Sequence, residues 1–219
     1  MGLRYISLII LFLVSCNSDT KKVSIGKIPI TSLQRLKEGN ERFVNGKSIH
    51  PNNSHKRITE VANHQNPFAI VVTCSDSRVS PELIYDQGLG DLFVIRTAGN
   101  ILSDIELGSI EYAIEHLNTK LIVVMGHENC GAITAITENT TEEGHLAFLL
   151  NQIKLEQEVQ QVSVTAPGRL NALVQANVKH VVHQLQSQQG IIGNHFKKSA
   201  IEIIGAEYYL QNGLVSFNN

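Results

Sequence analysis

Two short strings carry the reactive side chains of this sequence: Cys74-Ser75-Asp76-Ser77-Arg78 and His127-Glu128-Asn129-Cys130. They offer two thiols and an imidazole, with Asp76 two residues and Arg78 four residues past the first thiol. Three such ligands suit a catalytic zinc, whose fourth tetrahedral position must stay free for water or substrate. A structural zinc usually takes four protein ligands, and only Asp76 is at hand as a fourth. Two thiolates and a neutral imidazole leave the metal formally neutral. Such a centre is a weaker electrophile than a three-histidine zinc, so the hydrogen bonds around a bound water matter more. Asp76 is placed to accept one of those bonds, and Arg78 to hold Asp76 ionised and correctly turned. Two residues apart on an extended segment, their side chains point the same way.

Other chemistries account for fewer of these residues. A cysteine phosphatase loop needs a longer spacing than the three residues that separate Cys74 from Arg78. A thiol nucleophile with His127 as its base leaves Cys130 without a task. A Cys74–Cys130 disulfide, conceivable in an exported chain, explains neither His127 nor the Asp76/Arg78 pair.

The elements that must bring the two strings together alternate between strand and helix. Residues 68–73, 92–96 and 121–125 are short apolar, β-branched runs that read as buried strands. Cys74 closes the first run, Ala98-Gly99-Asn100 follows the second as a turn, and Gly126-His127 follows the third. Both ligand strings therefore fall at the carboxyl ends of strands, the edge where open α/β sheets bind ligands. Helical periodicity begins at Thr31 or Ser32 and ends by Gly46, and it recurs over 105–117, 131–137, 145–161 and 169–188. Residues 201–204 and 214–217 read as late strands, with Asn212-Gly213 as a hairpin turn. The expected architecture is α/β: one domain with a mostly parallel central sheet flanked by helices and an N-terminal helical arm.

The chain has 219 residues, 42 % hydrophobic and 17 % charged, enough for one domain with a sizeable core. Net charge is −2 and the pI is near 6.5, so there is no electrostatic reason to expect a nucleic-acid partner. At the N-terminus Arg4 precedes an apolar run, Tyr5 to Val14, too short to span a bilayer, which takes roughly 20 residues. It reads as the core of a signal peptide. Leu13-Val14-Ser15-Cys16 resembles a bacterial lipobox, which implies a signal peptide at 1–15 and lipid on Cys16. Residues 16–30 then form a tether and 31–219 the domain. The chain is expected to be exported and membrane-anchored, unless Cys16 is incidental to a plain secretory signal.

Taken together, the motifs resemble the β-class carbonic anhydrases. The likeness rests on Leu36-Lys-Glu-Gly-Asn-Glu-Arg-Phe43, the two ligand strings, Asp91-Leu-Phe-Val-Ile-Arg96, Ala98-Gly-Asn100, Ser109-Ile-Glu-Tyr112, Gly131 after Cys130, and Ala176-Asn-Val-Lys-His180. It implies reversible hydration of carbon dioxide to bicarbonate and a proton through zinc-bound hydroxide. By that likeness Cys74, His127 and Cys130 hold one Zn2+ per subunit, and Asp76 and Arg78 form the catalytic pair. In some members the aspartate swings onto the metal. Gln65, Phe93, Tyr112 and Ala98 match substrate-pocket positions, though core packing accounts equally for Phe93 and Tyr112. The likeness also implies a homodimer or larger homo-oligomer whose pockets are shared across the interface. Two alternatives stay open on sequence: hydrolysis of carbon disulfide or carbonyl sulfide on the same scaffold, and a zinc-binding lipoprotein without turnover.

Overall fold

The β-branched runs form β1 (Ala69–Cys74), β2 (Leu92–Thr97) and β3 (Leu121–His127); β4 (Glu202–Tyr208) and β5 (Val215–Asn218) complete a five-stranded sheet of order β2-β1-β3-β4-β5. The structure, a computed structural model, describes Met1 and residues 31–138 and 141–218. Met1 apart, the predicted segments 1–15 and 16–30, Cys16 included, lie outside the described residues. Every pair of neighbouring strands is parallel except β4–β5. β1 and β3 are buried at every position, which is why their sequences are continuous apolar runs rather than alternating ones.

Successive side chains still part to opposite faces. Ile70 and Val72 join Ile110, Val178, Val181 and Leu185 on one face. Ala69 and Val71 join Leu36, Tyr85 and Met125 on the other. The described helices are α1 (Ser32–Val44), α2 (His55–Val61), α3 (Pro81–Ile84), α4 (Asp104–Leu117), α5 (Gly131–Thr137), α6 (Gly144–Leu155), α7 (Gln157–Gln160), α8 (Arg169–Ser187) and α9 (Ile191–Lys197). The Thr31 side chain caps α1 by accepting from the Gln34 N–H. This expected arm docks onto its own domain. Buried Asn40 donates to the carbonyls of Ile84 and Gly213 and accepts from the Val215 N–H, so its whole amide is satisfied.

Three sequence expectations need adjustment. The stretch 145–161 is two helices, because Glu156 takes an extended conformation (φ −61°, ψ 127°) and turns inward to Asn177. β4 runs on to Tyr208, past the predicted 204, since Gly205-Ala206-Glu207 hides a buried strand behind a small and a charged residue. The β4–β5 connection spans 209–214 rather than a two-residue turn, with Gly213 at φ 77° and Asn212 Oδ1 accepting from Leu214 N at 2.9 Å. The short helices α2, α3 and α9 lie outside the helical stretches read from the sequence.

α8 lies close over β3 and β4 because Gly126 leaves room. A Cβ there would stand 2.5 Å from Val178 Cγ2. Among the described residues no helix is long and apolar enough to cross a membrane.

Candidate metal centre

β1 and β3 are adjacent and parallel, with Thr73 paired to Met125, so their carboxyl ends lie side by side. That pairing closes the 52-residue gap between Cys74 and His127. One ligand atom from each of Cys74, His127 and Cys130 lies within 4.8 Å of the others, and all three residues are buried. Cys74 belongs to the parity of Ile70 and Val72, whereas His127 belongs to that of Val123 and Met125. They meet because the centre sits across the sheet's edge rather than on either face.

The two cysteines are free thiols, with sulfurs 3.9 Å apart, so the disulfide reading does not apply. Hydrogen bonding with Cys130 is the main influence on Cys74. Burial opposes it; His127 and the N–H of Gly99 add to it, and the Cys74 thiol is pulled well below its ordinary range. The same contact, with burial, pushes Cys130 up. The pair gives up one proton readily and resists losing the second, because two buried negative charges so close have no compensation. A divalent cation supplies that compensation.

His127 points to the same conclusion. Its Nδ1 lies 2.9 Å from the Glu128 carbonyl oxygen, which can only accept, so Nδ1 carries the proton. Nε2 is then left with a lone pair, buried and without a hydrogen-bond partner among the described residues. An orphaned imidazole nitrogen beside two thiols of this charge balance fits zinc, whose soft and borderline ligands are thiolate and neutral imidazole.

Asp76 is not a member of this cluster; its carboxylate is turned to Arg78. Oδ1 accepts from the backbone N and from Nε of Arg78, both at 2.9 Å, and Oδ2 from Nη2 at 2.7 Å. The guanidinium holds the Asp76 carboxyl well below the usual carboxylate range. Oδ2 still lies 3.9 Å from His127 Nε2, so an ionised carboxylate borders the metal ligands. Arg78 also reaches the Asn129 carbonyl at 3.5 Å, tying the two strings together.

The sequence profile of the carbonic anhydrase family matches residues 69–215. Carbonic anhydrase 2 of Mycobacterium tuberculosis is 38 % identical over 189 residues, covering 84 % of this chain and 90 % of the relative. The chain belongs to the β-class carbonic anhydrases. Among solved structures, the β-carbonic anhydrase CcaA superposes with a TM-score of 0.68 at 27 % identity, over 86 % of this chain and 96 % of that one. A β-carbonic anhydrase of Sordaria macrospora, described as tetrameric, gives 0.67 at 26 %, over 82 % and 93 %.

Within the chain of this carbonic anhydrase the expected pocket residues separate into two groups. Ala98 opens the turn Ala98–Asn100 directly beside the centre, one residue before the N–H that reaches Cys74 Sγ. Phe93 pairs with Ile70 in the β1–β2 register, whereas Cys74 pairs with Thr97. That is four residues along the strand, roughly 13 Å at about 3.3 Å each. Tyr112 packs on Phe93 with ring centroids 6.4 Å apart and stays exposed. Gln65 lies exposed in the loop before β1.

The structure also shows residues that the sequence reading left without a task. Arg96, at the end of β2, donates from Nε to the Cys74 carbonyl at 3.1 Å and from Nη2 to the Asp76 carbonyl at 2.7 Å. It clamps the backbone that carries both the first ligand and the aspartate. Gly99 donates its N–H to Cys74 Sγ at 3.4 Å. An arginine closing a strand, followed by a Gly-Asn turn, was the available signal, but only strand pairing says what it faces.

Proposed function

We propose that this chain catalyses the reversible hydration of carbon dioxide to bicarbonate and a proton, with one zinc held by Cys74, His127 and Cys130. The observation that carries the reading is a buried cysteine-histidine-cysteine cluster bordered by a carboxylate that Arg78 keeps ionised. When bound, zinc supplies the Lewis acidity that lets water act as a nucleophile near neutral pH.

The remaining work belongs to the chain. Arg78 occupies both carboxylate oxygens of Asp76 from one side, which fixes the carboxylate's rotation. The free lone pair of Oδ2 then faces the ligand cluster and accepts a hydrogen bond from the attacking water, orienting its oxygen toward carbon dioxide. Because that carboxylate stays ionised, it accepts at Oδ2 without keeping the proton, which passes on to solvent and buffer. Arg96 holds Asp76 in register by its carbonyl. Stopped-flow carbon dioxide hydration, with and without chelator, tests the reading. A metal-dependent rate well above buffer is expected, and its absence overturns the proposal.

Gln65, Phe93 and Tyr112 lie away from the cluster in their own subunit, so their pocket role belongs to a partner copy, in a homodimer or larger oligomer. A monomeric mass by light scattering for an active enzyme would refute this. The exported, lipid-anchored placement rests on the run from Tyr5 to Cys16. Cys16→Ala is expected to release the protein from membranes, and unchanged membrane partitioning would refute the anchor.

A further inference from the structure

A buried polar chain runs from the α6–α7 break to the first cysteine. Glu156 is 5 % exposed, and both its carboxyl oxygens accept from Nδ2 of Asn177, at 3.0 and 3.1 Å. Asn177 on α8 is also buried, and its Oδ1 accepts from Nδ2 of Asn100 at 2.8 Å. The directions are consistent along the chain: the carboxyl draws the amide's N–H groups, which leaves the amide oxygen for Asn100. Asn100 and Gly99 are consecutive left-handed residues, at φ 47° and 67°. Asparagine is among the few L-residues that adopt that conformation, and the bond to Asn177 holds it. The double kink aims the Gly99 N–H at Cys74 Sγ, 3.4 Å away. α6 closes over the same spot, since a Cβ on Gly99 would stand 2.8 Å from Ile153 Cδ1.

Glu156 makes no ion pair among the described residues, and the proposed reaction does not use it. Burial raises its carboxyl to about 8, against the lowering effect of Asn177 and with a further push from the Glu158 charge. An uncharged acid accepting two amide contacts suits a structural anchor better than a proton donor.

We propose that Glu156 is a positioning residue which, through Asn177 and Asn100, holds the Gly99 N–H on the Cys74 sulfur and so sets how much charge that sulfur donates to zinc. Hydrogen bonds to a ligand sulfur withdraw electron density from it and tune the metal. The inference rests on the reading of Cys74 as a zinc ligand.

The test uses the full chain, loaded with zinc or with cobalt(II). Glu156→Gln keeps an oxygen to accept from Asn177, and should leave zinc affinity and the thiolate-to-cobalt charge-transfer band at wild-type values. Paired Glu156→Leu and Asn177→Leu remove both ends of that contact while keeping shape, and leave Asn100 Nδ2 as the group that loses its acceptor. Asn100→Gly cuts the last link yet tolerates the left-handed backbone. Both are expected to shift the band and to weaken zinc binding about 10- to 100-fold in chelator competition. A role in packing alone predicts an unchanged band in Asn100→Gly, and that result overturns the inference even if the double variant fails to fold. Cys74→Ser runs alongside. If it retains full zinc, the ligand reading falls and takes this inference with it. If it loses zinc while the other variants match wild type, only the inference falls.

Discussion

Cys74 and Asp76 lie on a segment held from outside, whereas His127 and Cys130 lie on one shaped by its own backbone. The first segment leaves β1 and is gripped by Arg96 at two carbonyls and by the Gly99 N–H at the sulfur. The second continues β3 into a turn with Asn129 left-handed (φ 53°), and Cys130 then caps α5. His127 orients itself on the carbonyl of the very next residue. The first half of the centre therefore depends on residues far along the chain, and the second mainly on its neighbours. The carboxylate proposed to orient the attacking water sits on the first half.

The largest effects break the comparison, since either half is needed to hold metal. Cys74→Ser and Cys130→Ser should each bring the zinc-to-protein ratio close to zero by metal analysis; full zinc in either would refute its ligand assignment. Next comes Asp76→Asn, which should keep zinc but lose about 10²- to 10⁴-fold in hydration rate, the usual range for a proton-handling group. Near-normal turnover in the zinc-loaded variant would remove Asp76 from the reaction.

The comparison sharpens with one substitution in each half. Arg96→Leu releases the externally held segment and should cost about 10- to 100-fold in zinc affinity. Asn129→Ala strains a local turn and should cost about 1–2 kcal/mol of stability with the rate of zinc-loaded enzyme largely kept. Denaturant melts and chelator competition on both variants would expose a reversed pattern. The smallest effect is on pH. The Glu156 carboxyl rises from its ordinary 4.5 to about 8 in the fold. Between those values the folded state keeps a proton that the unfolded chain has lost, so this group's contribution to stability falls as pH rises. Glu156→Gln should flatten that decline in urea melts at pH 5 and pH 8. An identical slope in both proteins would deny the shift.

Much of the centre was legible because its ligands are rare residue types at strand ends. Cysteine and histidine have few structural reasons to close apolar β-branched runs, and Gly126-His127 and Cys74 both do so. Glu156 and Asn177 were not legible as partners. One sits inside what reads as a continuous helix and the other on a helix with a strong apolar stripe, where each passes for a solvated residue. β4 past Ile204 was hidden for a related reason, since Glu207 is a charged residue in a buried strand and is bonded there by Gln175. Local patterning assumes that charge faces water, and it fails where a distant donor meets the charge inside.

The amino-acid order alone picked out Cys74, His127 and Cys130 as candidate ligands, the Asp76/Arg78 pair and the strands that carry them, because these follow from residue chemistry and short-range periodicity. Only the tertiary structure decided that Arg78 fixes both Asp76 oxygens, that His127 presents Nε2, and that Arg96 and the Glu156 chain reach Cys74. The β1–β2 register also carries Phe93 on β2 four residues down the strand from the level of Cys74, with Tyr112 on α4 packed against it. The reach of Arg96 and of the Glu156 chain to Cys74 depends on strand pairing and helix docking between segments far apart in sequence, and a hydrogen bond of about 3 Å across such a distance leaves no trace in local spacing.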